Sequence, residues 1–416
     1  MKAIFHQRNC DLILKFLLFI TAFSIPFSFA FNSISLAILF LFSFVYFNKE
    51  EFSINMKTKK VYILYILFFI IQVLSIYYAS NKDAAIKSVT RNTVFFILPI
   101  TFINLKNKID KNIIRIVYYG LLLAILSTLV SSYFNLFIQY LYENISIKTM
   151  VREKFIANGI YDIHVPYMAL LNLFLIVITY KISFNKKESI DKRIKFSLMT
   201  FLSLALLQLS GVMSIVVLGL YFITLFINSK RSNKVKIFVV FLMSIVFIFS
   251  YLTLKNIDIQ DRVRGSENLV YRAQNIIKSS DQVRNENWKS VMNVISNNLL
   301  LGVSADGGLE LLQSQRQVLS ESYINKHNAH NDYLEIILRY GLIGFSIYFL
   351  LVLMLMRKAF MTKNYYLIWV LVIFLISGLT ESYLQRQIGI VFFVFFSLLF
   401  YTQSDSERFK INQKGI

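Results

Sequence analysis

Along most of this chain, apolar runs of roughly the 17–25 residues that carry a helix across a bilayer alternate with short charged clusters. Of the 416 residues, 56% are hydrophobic and 16% charged, and the mean hydropathy is +0.58. A soluble domain of this length carries about 45–50% apolar and about 25% charged residues. The pattern therefore predicts an all-α, polytopic membrane protein with about twelve transmembrane helices. The spans are expected near 12–30, 33–48, 61–79, 92–105, 113–138, 164–182, 195–210, 212–228, 236–254, 334–356, 365–378 and 388–402.

The formal net charge of +21 would suggest a nucleic-acid or anionic-surface binder in a soluble chain. Its placement points instead to topology. Lys49, Lys57, Lys59 and Lys60 follow the second run, and Lys106, Lys108, Lys111 and Arg115 follow the fourth. Further basic groups lie at Lys181–Lys195, Lys230–Lys236, Arg357–Lys363 and Arg408–Lys414. All fall on one side if the N-terminus is cytoplasmic, which is the positive-inside pattern. Lys82, Lys87 and Arg91 are a mild exception. Both termini are thus expected in the cytoplasm, with membrane lipids as partners and no nucleic acid. The lone cysteine, Cys10, leaves no intrachain disulfide possible. The basic, apolar N-terminus could pass for a signal peptide, but a second apolar run follows at once, and the two are expected to form an uncleaved hairpin.

This arrangement divides the chain into a first membrane domain (1–254), a large external loop (255–333), a second membrane domain (334–402) and a cytoplasmic tail (403–416). A smaller external loop covers about 139–163. Within the large loop, Asn287–Leu300 has helical periodicity, with Trp288, Val291, Val294 and Ile295 on one face. The loop is expected to fold as amphipathic helices on the membrane surface.

Chemistry-bearing residues gather on the external side. Two of the four histidines, His327 and His330, stand where the large loop meets an apolar helix, followed by Asn331 and Asp332. Three readings are open here. The residues could cap a helix, begin a metal site, or supply a general base, since imidazole titrates near neutrality. A metal site would want a further histidine or cysteine, and the loop has neither. Arg262, Arg264, Arg272, Arg284 and Arg316, with Arg339 at the head of the next run, offer bidentate phosphate contacts or ordinary ion pairs with the loop's carboxylates. His164 also stands at an external helix entrance, before Pro166 and Tyr167. Glu381, in the last external turn with Thr380 and Arg386, is placed to orient a base or simply to face water. Gly341 and Gly344 would permit close helix packing.

The sequence His330–Asn331, nine intervening residues, then Gly341 and Gly344 resembles the hallmark of the O-antigen ligase superfamily, bacterial membrane glycosyltransferases. Arg284 with Trp288 and Gly302 is similar to that family's arginine–tryptophan helix and following turn. His164–Tyr167 and Thr380–Glu381 are similar to further family elements. The resemblance implies a GT-C-like fold in the bacterial inner membrane with a periplasmic large loop. It implies a glycan donor on undecaprenyl diphosphate and, as acceptor, a lipid A-core sugar or a second glycan. It implies His330, Arg284 and Glu381 as catalytic. Substrate contacts would fall to Arg262, Arg264, His327, Asn331, Arg339, His164 and Tyr167, and structural roles to Gly341, Gly344, Trp288 and Gly302. No cofactor and no metal are implied. The family's Ser-Arg pair is missing near Ser210, leaving Arg91 or the loop arginines to compensate. A ligase and a polymerase share these motifs. A transporter would equally have many spans, but it usually keeps charges at mid-membrane or shows repeats, and neither is evident here.

Overall fold

The computed structural model describes residues 2–58, 60–143, 163–185, 187–209, 212–228 and 280–414. Among them the regular structure is entirely helical. In chain order the α-helices are α1 (Lys2–Ser24), α2 (Phe29–Ser43), α3 (Lys49–Thr58), α4 (Lys60–Ser75), α5 (Lys82–Arg91), α6 (Val94–Asn104), α7 (Lys111–Glu143), α8 (Val165–Thr179), α9 (Glu188–Leu209) and α10 (Val212–Ile227). After the interval 229–279 come α11 (Ser280–Asn297), α12 (Leu309–Gln315), α13 (Glu321–Ile324), α14 (Asp332–Met361), α15 (Tyr365–Ser377) and α16 (Gln387–Lys414).

Six segments among the described residues are long and apolar enough to cross a bilayer: Phe29–Tyr46, Lys60–Tyr78, Lys82–Asn104, Lys111–Asn135, Asp332–Met361 and Gln387–Ser404. Three shorter apolar helices, Val165–Thr179, Met213–Ile227 and Tyr365–Ser377, accompany them. The protein is thus a membrane protein, all-helical among the described residues, with several candidate spans. The expected ninth span, 236–254, and Arg262, Arg264 and Arg272 lie outside the described residues. The stretch expected as a tail after 402 continues as helix to Lys414.

Burial grades the spans. Only 28% of the apolar window of α2 is covered by protein, against 94% for α16. α16 therefore forms the interior of the bundle, packed on α6 and α15. Outer helices leave their apolar sides for lipid, as expected where lipid is as apolar as leucine. Tyrosine hydroxyls tie helices together inside: Tyr62 to Thr402 at 3.2 Å, Tyr118 to Thr179 at 2.7 Å and Tyr365 to Tyr221 at 2.8 Å. Of the large-loop helices, α11 rests on the start of α14, and α12 and α13 pack on α11. Their own small core joins Val291, Val294, Ile295, Val303 and Leu312 to Ala329 and Leu338.

Candidate active site

The histidine segment enters α14 through Asn331, whose side chain accepts from the backbone N–H groups of Tyr333 (2.9 Å) and Leu334 (3.0 Å). This is an N-cap, which satisfies helix donors that would otherwise lack partners. Asn331 also donates from Nδ2 to the Leu379 carbonyl at 3.0 Å, and its backbone N–H donates to Ser382 Oγ at 3.1 Å. The helix start is thereby tied to the turn before α16.

The residues before the cap are held carbonyl by carbonyl. Arg316 donates to His327 O at 2.5 Å, Asn287 Nδ2 to Asn328 O at 2.7 Å, and Trp288 Nε1 to Ala329 O at 2.8 Å. Arg316 in turn donates to Asn287 Oδ1 at 2.7 Å. From the other side, Ala329 N–H donates to Glu335 Oε2 at 2.8 Å, and His330 N–H to Asn328 Oδ1 at 2.9 Å. His330 itself adopts φ +46°, a left-handed conformation uncommon for a residue with a β-carbon. Such strain persists only where surrounding contacts over-determine it and is concentrated at functional sites.

The clamp presents His330 to a carboxylate. Its Nδ1 lies 3.4 Å from Glu381 Oε1, with the side chains 31% and 14% exposed. Burial raises the Glu381 carboxyl, but the hydrogen bond from His330, the charges of His330 and His164 and the Ser382 N–H outweigh it. The net effect holds the group below the ordinary carboxylate value. The His327 ring stands edge-on to that of His330, with centroids 5.1 Å apart. Its pKa is lowered, first by burial and then by the charge of His330, so the neutral imidazole is favoured. His164, at the exposed start of α8, contributes its charge to Glu381. Tyr167 is buried, and its hydroxyl donates to Ser382 O at 3.2 Å. Arg386 lies over its ring at 5.8 Å. Three segments far apart in sequence, around residues 164, 330 and 381, thus meet at one end of the bundle.

Gly344 fits the expected close helix packing, since a β-carbon there would stand 3.7 Å from Ile71 of α4, but Gly341 and Gly302 act differently. Gly341 has φ +61° and ψ −167°, which breaks α14 into two parts. A β-carbon there would stand 2.1 Å from the Leu300 carbonyl oxygen. Into this break runs the segment after α11, with Val303 N–H donating to Leu338 O at 2.8 Å and Leu342 N–H to Leu299 O at 2.9 Å. Gly302, at φ +71°, makes the reciprocal approach, its missing β-carbon falling 2.5 Å from the Arg339 carbonyl carbon. The break also carries the Tyr340 β-carbon to within 2.3 Å of where Gly344 would bear one.

Arg339, expected among the substrate contacts, is directed inward. Its Nε donates to Glu335 Oε1 at 2.7 Å with the side chains only 11% and 2% exposed, and Nη1 donates to the Ala305 carbonyl. The reason is helical spacing: Glu335 is one turn earlier on the same helix, and burial favours a paired charge over a free one. Because Glu335 also accepts from Ala329 N–H, this pair forms part of the clamp. Asn331 and Tyr167 are likewise engaged within the protein. Arg284 sits on α11 one turn before Trp288, hence on the face that touches the histidine segment, and is partly exposed. Asn287, Asn328, Glu335 and Ser382 were not singled out from sequence. Of these only Glu335 carried a readable signal, its four-residue spacing to Arg339.

Residues 194–349 match the family model described as O-antigen ligase. The match contains α14 through Gly344 and the whole histidine segment, and over these residues it bears out the resemblance drawn from the motifs. No curated protein matches the chain. With the apolar helices, the match supports a membrane glycosyltransferase of ligase or polymerase type.

Proposed function

We propose that this protein transfers a glycan from undecaprenyl diphosphate to an acceptor hydroxyl at the outer face of the bacterial inner membrane, as an O-antigen ligase acting on a lipid A-core sugar. The observation that carries this reading is the approach of His330 Nδ1 to Glu381 Oε1 at 3.4 Å in a segment clamped on every side. A carboxylate at Nδ1 fixes the tautomer with the proton on that nitrogen, leaving Nε2 as the base. As the acceptor oxygen attacks the anomeric carbon, its proton passes to Nε2, and the bond to the diphosphate breaks with inversion. The diphosphate leaves readily, so the protein's main electrostatic task is to stabilise its charge. Arg284, beside the Trp288 contact, is the first candidate for that task. Arg386 and Arg91 stand at the same end of the bundle, and Arg262 and Arg264 belong to the same proposal from sequence. His327, held neutral, is suited to orient His330 or the acceptor.

The test is a deletion strain whose lipopolysaccharide is resolved on a gel, complemented with wild type, His330→Ala or Glu381→Gln. Core lacking any O-chain, restored by wild type and not by His330→Ala, supports a ligase with His330 as base. Losing a general base costs about 10²–10⁴-fold in rate, and Glu381→Gln is expected to fall between wild type and His330→Ala. Core bearing a single repeat would make the protein a polymerase with the same chemistry. An unchanged gel, or full rescue by His330→Ala, would overturn the assignment.

A further inference from the structure

At the other end of the bundle lies an open pocket that the transfer chemistry does not use. The part of α14 beyond its break at Gly341, residues 342–361, alone extends about 30 Å at about 1.5 Å per residue, which sets the scale of the separation from His330. The pocket encloses about 620 Å³, between the start of α7, the segment after α8, the turn joining α14 to α15, and α16. Three of its lining residues are lysines, Lys111, Lys181 and Lys363, and no carboxylate is among its lining residues where side chains are described. Each lysine comes from a different part of the chain: the start of α7, the segment after α8 and the turn between α14 and α15. A rule that places basic residues on one membrane face accounts for their side but not for their convergence on one concavity.

The remaining wall is amphipathic. Lys181 Nζ sits 5.0 Å from the centre of the Tyr365 ring and 5.5 Å from that of Tyr180. Tyrosines of this kind favour the level of lipid headgroups. Tyr366 and Met361 add apolar surface, and Thr362 and Ser404 add hydroxyls. The two hydroxyls donate to carbonyls of their own helices, Thr362 to Lys358 O at 2.8 Å and Ser404 to Phe400 O at 3.0 Å, so the lysines carry the attraction. Cations and apolar wall at the ends of membrane helices make a setting in which basic pockets bind lipid headgroups.

We propose that this pocket binds the phosphate headgroup of an anionic membrane phospholipid, bridging the ends of α7, α8 and α14. The proposal is independent of the transferase reading, since it concerns the opposite end of the molecule. A lysine near a membrane surface contributes about fivefold in affinity for anionic lipid, so removing three is expected to weaken binding about a hundredfold.

The experiment follows thermal unfolding of the purified full-length protein in neutral detergent during titration with short-chain phosphatidylglycerol. Phosphatidylcholine of the same chain length and inorganic phosphate serve as the comparison ligands. Wild type is expected to be stabilised by phosphatidylglycerol alone. The triple variant Lys111→Gln, Lys181→Gln, Lys363→Gln should lose that response, and the triple Lys→Arg variant should keep it. Lys187→Gln with Lys192→Gln, outside the pocket, should behave as wild type. If the glutamine triple does not fold, Lys181→Gln alone should still weaken binding about fivefold. Equal losses in the pocket and outside variants would mean bulk charge attraction and overturn the proposal. So would an unchanged response in the pocket variants, or equal stabilisation by inorganic phosphate, which would indicate a free-anion site.

Discussion

The two ends of α14 use polar residues in opposite ways. At its start, Asn331, Glu335 and Arg339 are buried or nearly so and bound to one another or to backbone groups. At its finish, Lys363 and its neighbours Lys111 and Lys181 are exposed around an open pocket. A proton-transfer group must be held within a fraction of an ångström, and saturated buried hydrogen bonds can do that because leaving any member unpaired is costly. A headgroup site tolerates loose geometry, so flexible ammonium groups suffice there. Order at the first end is built from groups bonded to one another and to the backbone within the protein.

The sharpest way to break this contrast is Glu335→Ala. It strands Arg339 in a buried position and frees the Ala329 N–H, at an expected cost of about 3–5 kcal/mol. A thermal-unfolding midpoint close to wild type would show that the pair is not the keystone of the clamp. Gly341→Ala comes next. A left-handed position filled by a β-carbon costs about 1–3 kcal/mol, and the carbonyl of Leu300 stands in its way besides. Reduced stability together with lost transfer is expected, whereas the same change at Gly219, around which a β-carbon would meet open space, should leave activity intact.

The smallest effect concerns pH. His327 has a folded pKa below its ordinary value, so the unfolded chain binds its proton more readily. Its contribution to stability is therefore complete above the ordinary histidine value of about 6.5 and is lost as pH falls through the folded value. Unfolding midpoints measured from pH 7.5 to 5 should drop for wild type and drop less for His327→Gln. Identical slopes would assign the acid sensitivity elsewhere.

Much of this end was legible as sequence. Apolar runs announced the helices, scarcity drew attention to His327 and His330, and the position of Glu381 in an external turn suggested an orienting carboxylate. Arg339 shows where local reading fails. An arginine at a helix head looks like a phosphate ligand, yet its own helix supplies Glu335 one turn away, and the decision between the two depended on burial. Gly341 shows the same in backbone terms: small residues near a helix start read as helix packing, while the structure uses the φ of glycine to admit the segment after α11.

Hydropathy and charge order are local and additive along a chain, so the sequence by itself determined that this protein is helical, enters a membrane and carries a histidine pair at the mouth of a helix. The contacts that make the pair a site join residues far apart. Ser382 and Asn331 are 51 apart, and Trp288 and Ala329 are 41 apart. Hydrogen bonds are short and directional, and no periodicity along the chain encodes them. Only the packing of α11, α14 and the turn before α16 decided which carboxylate His330 would face.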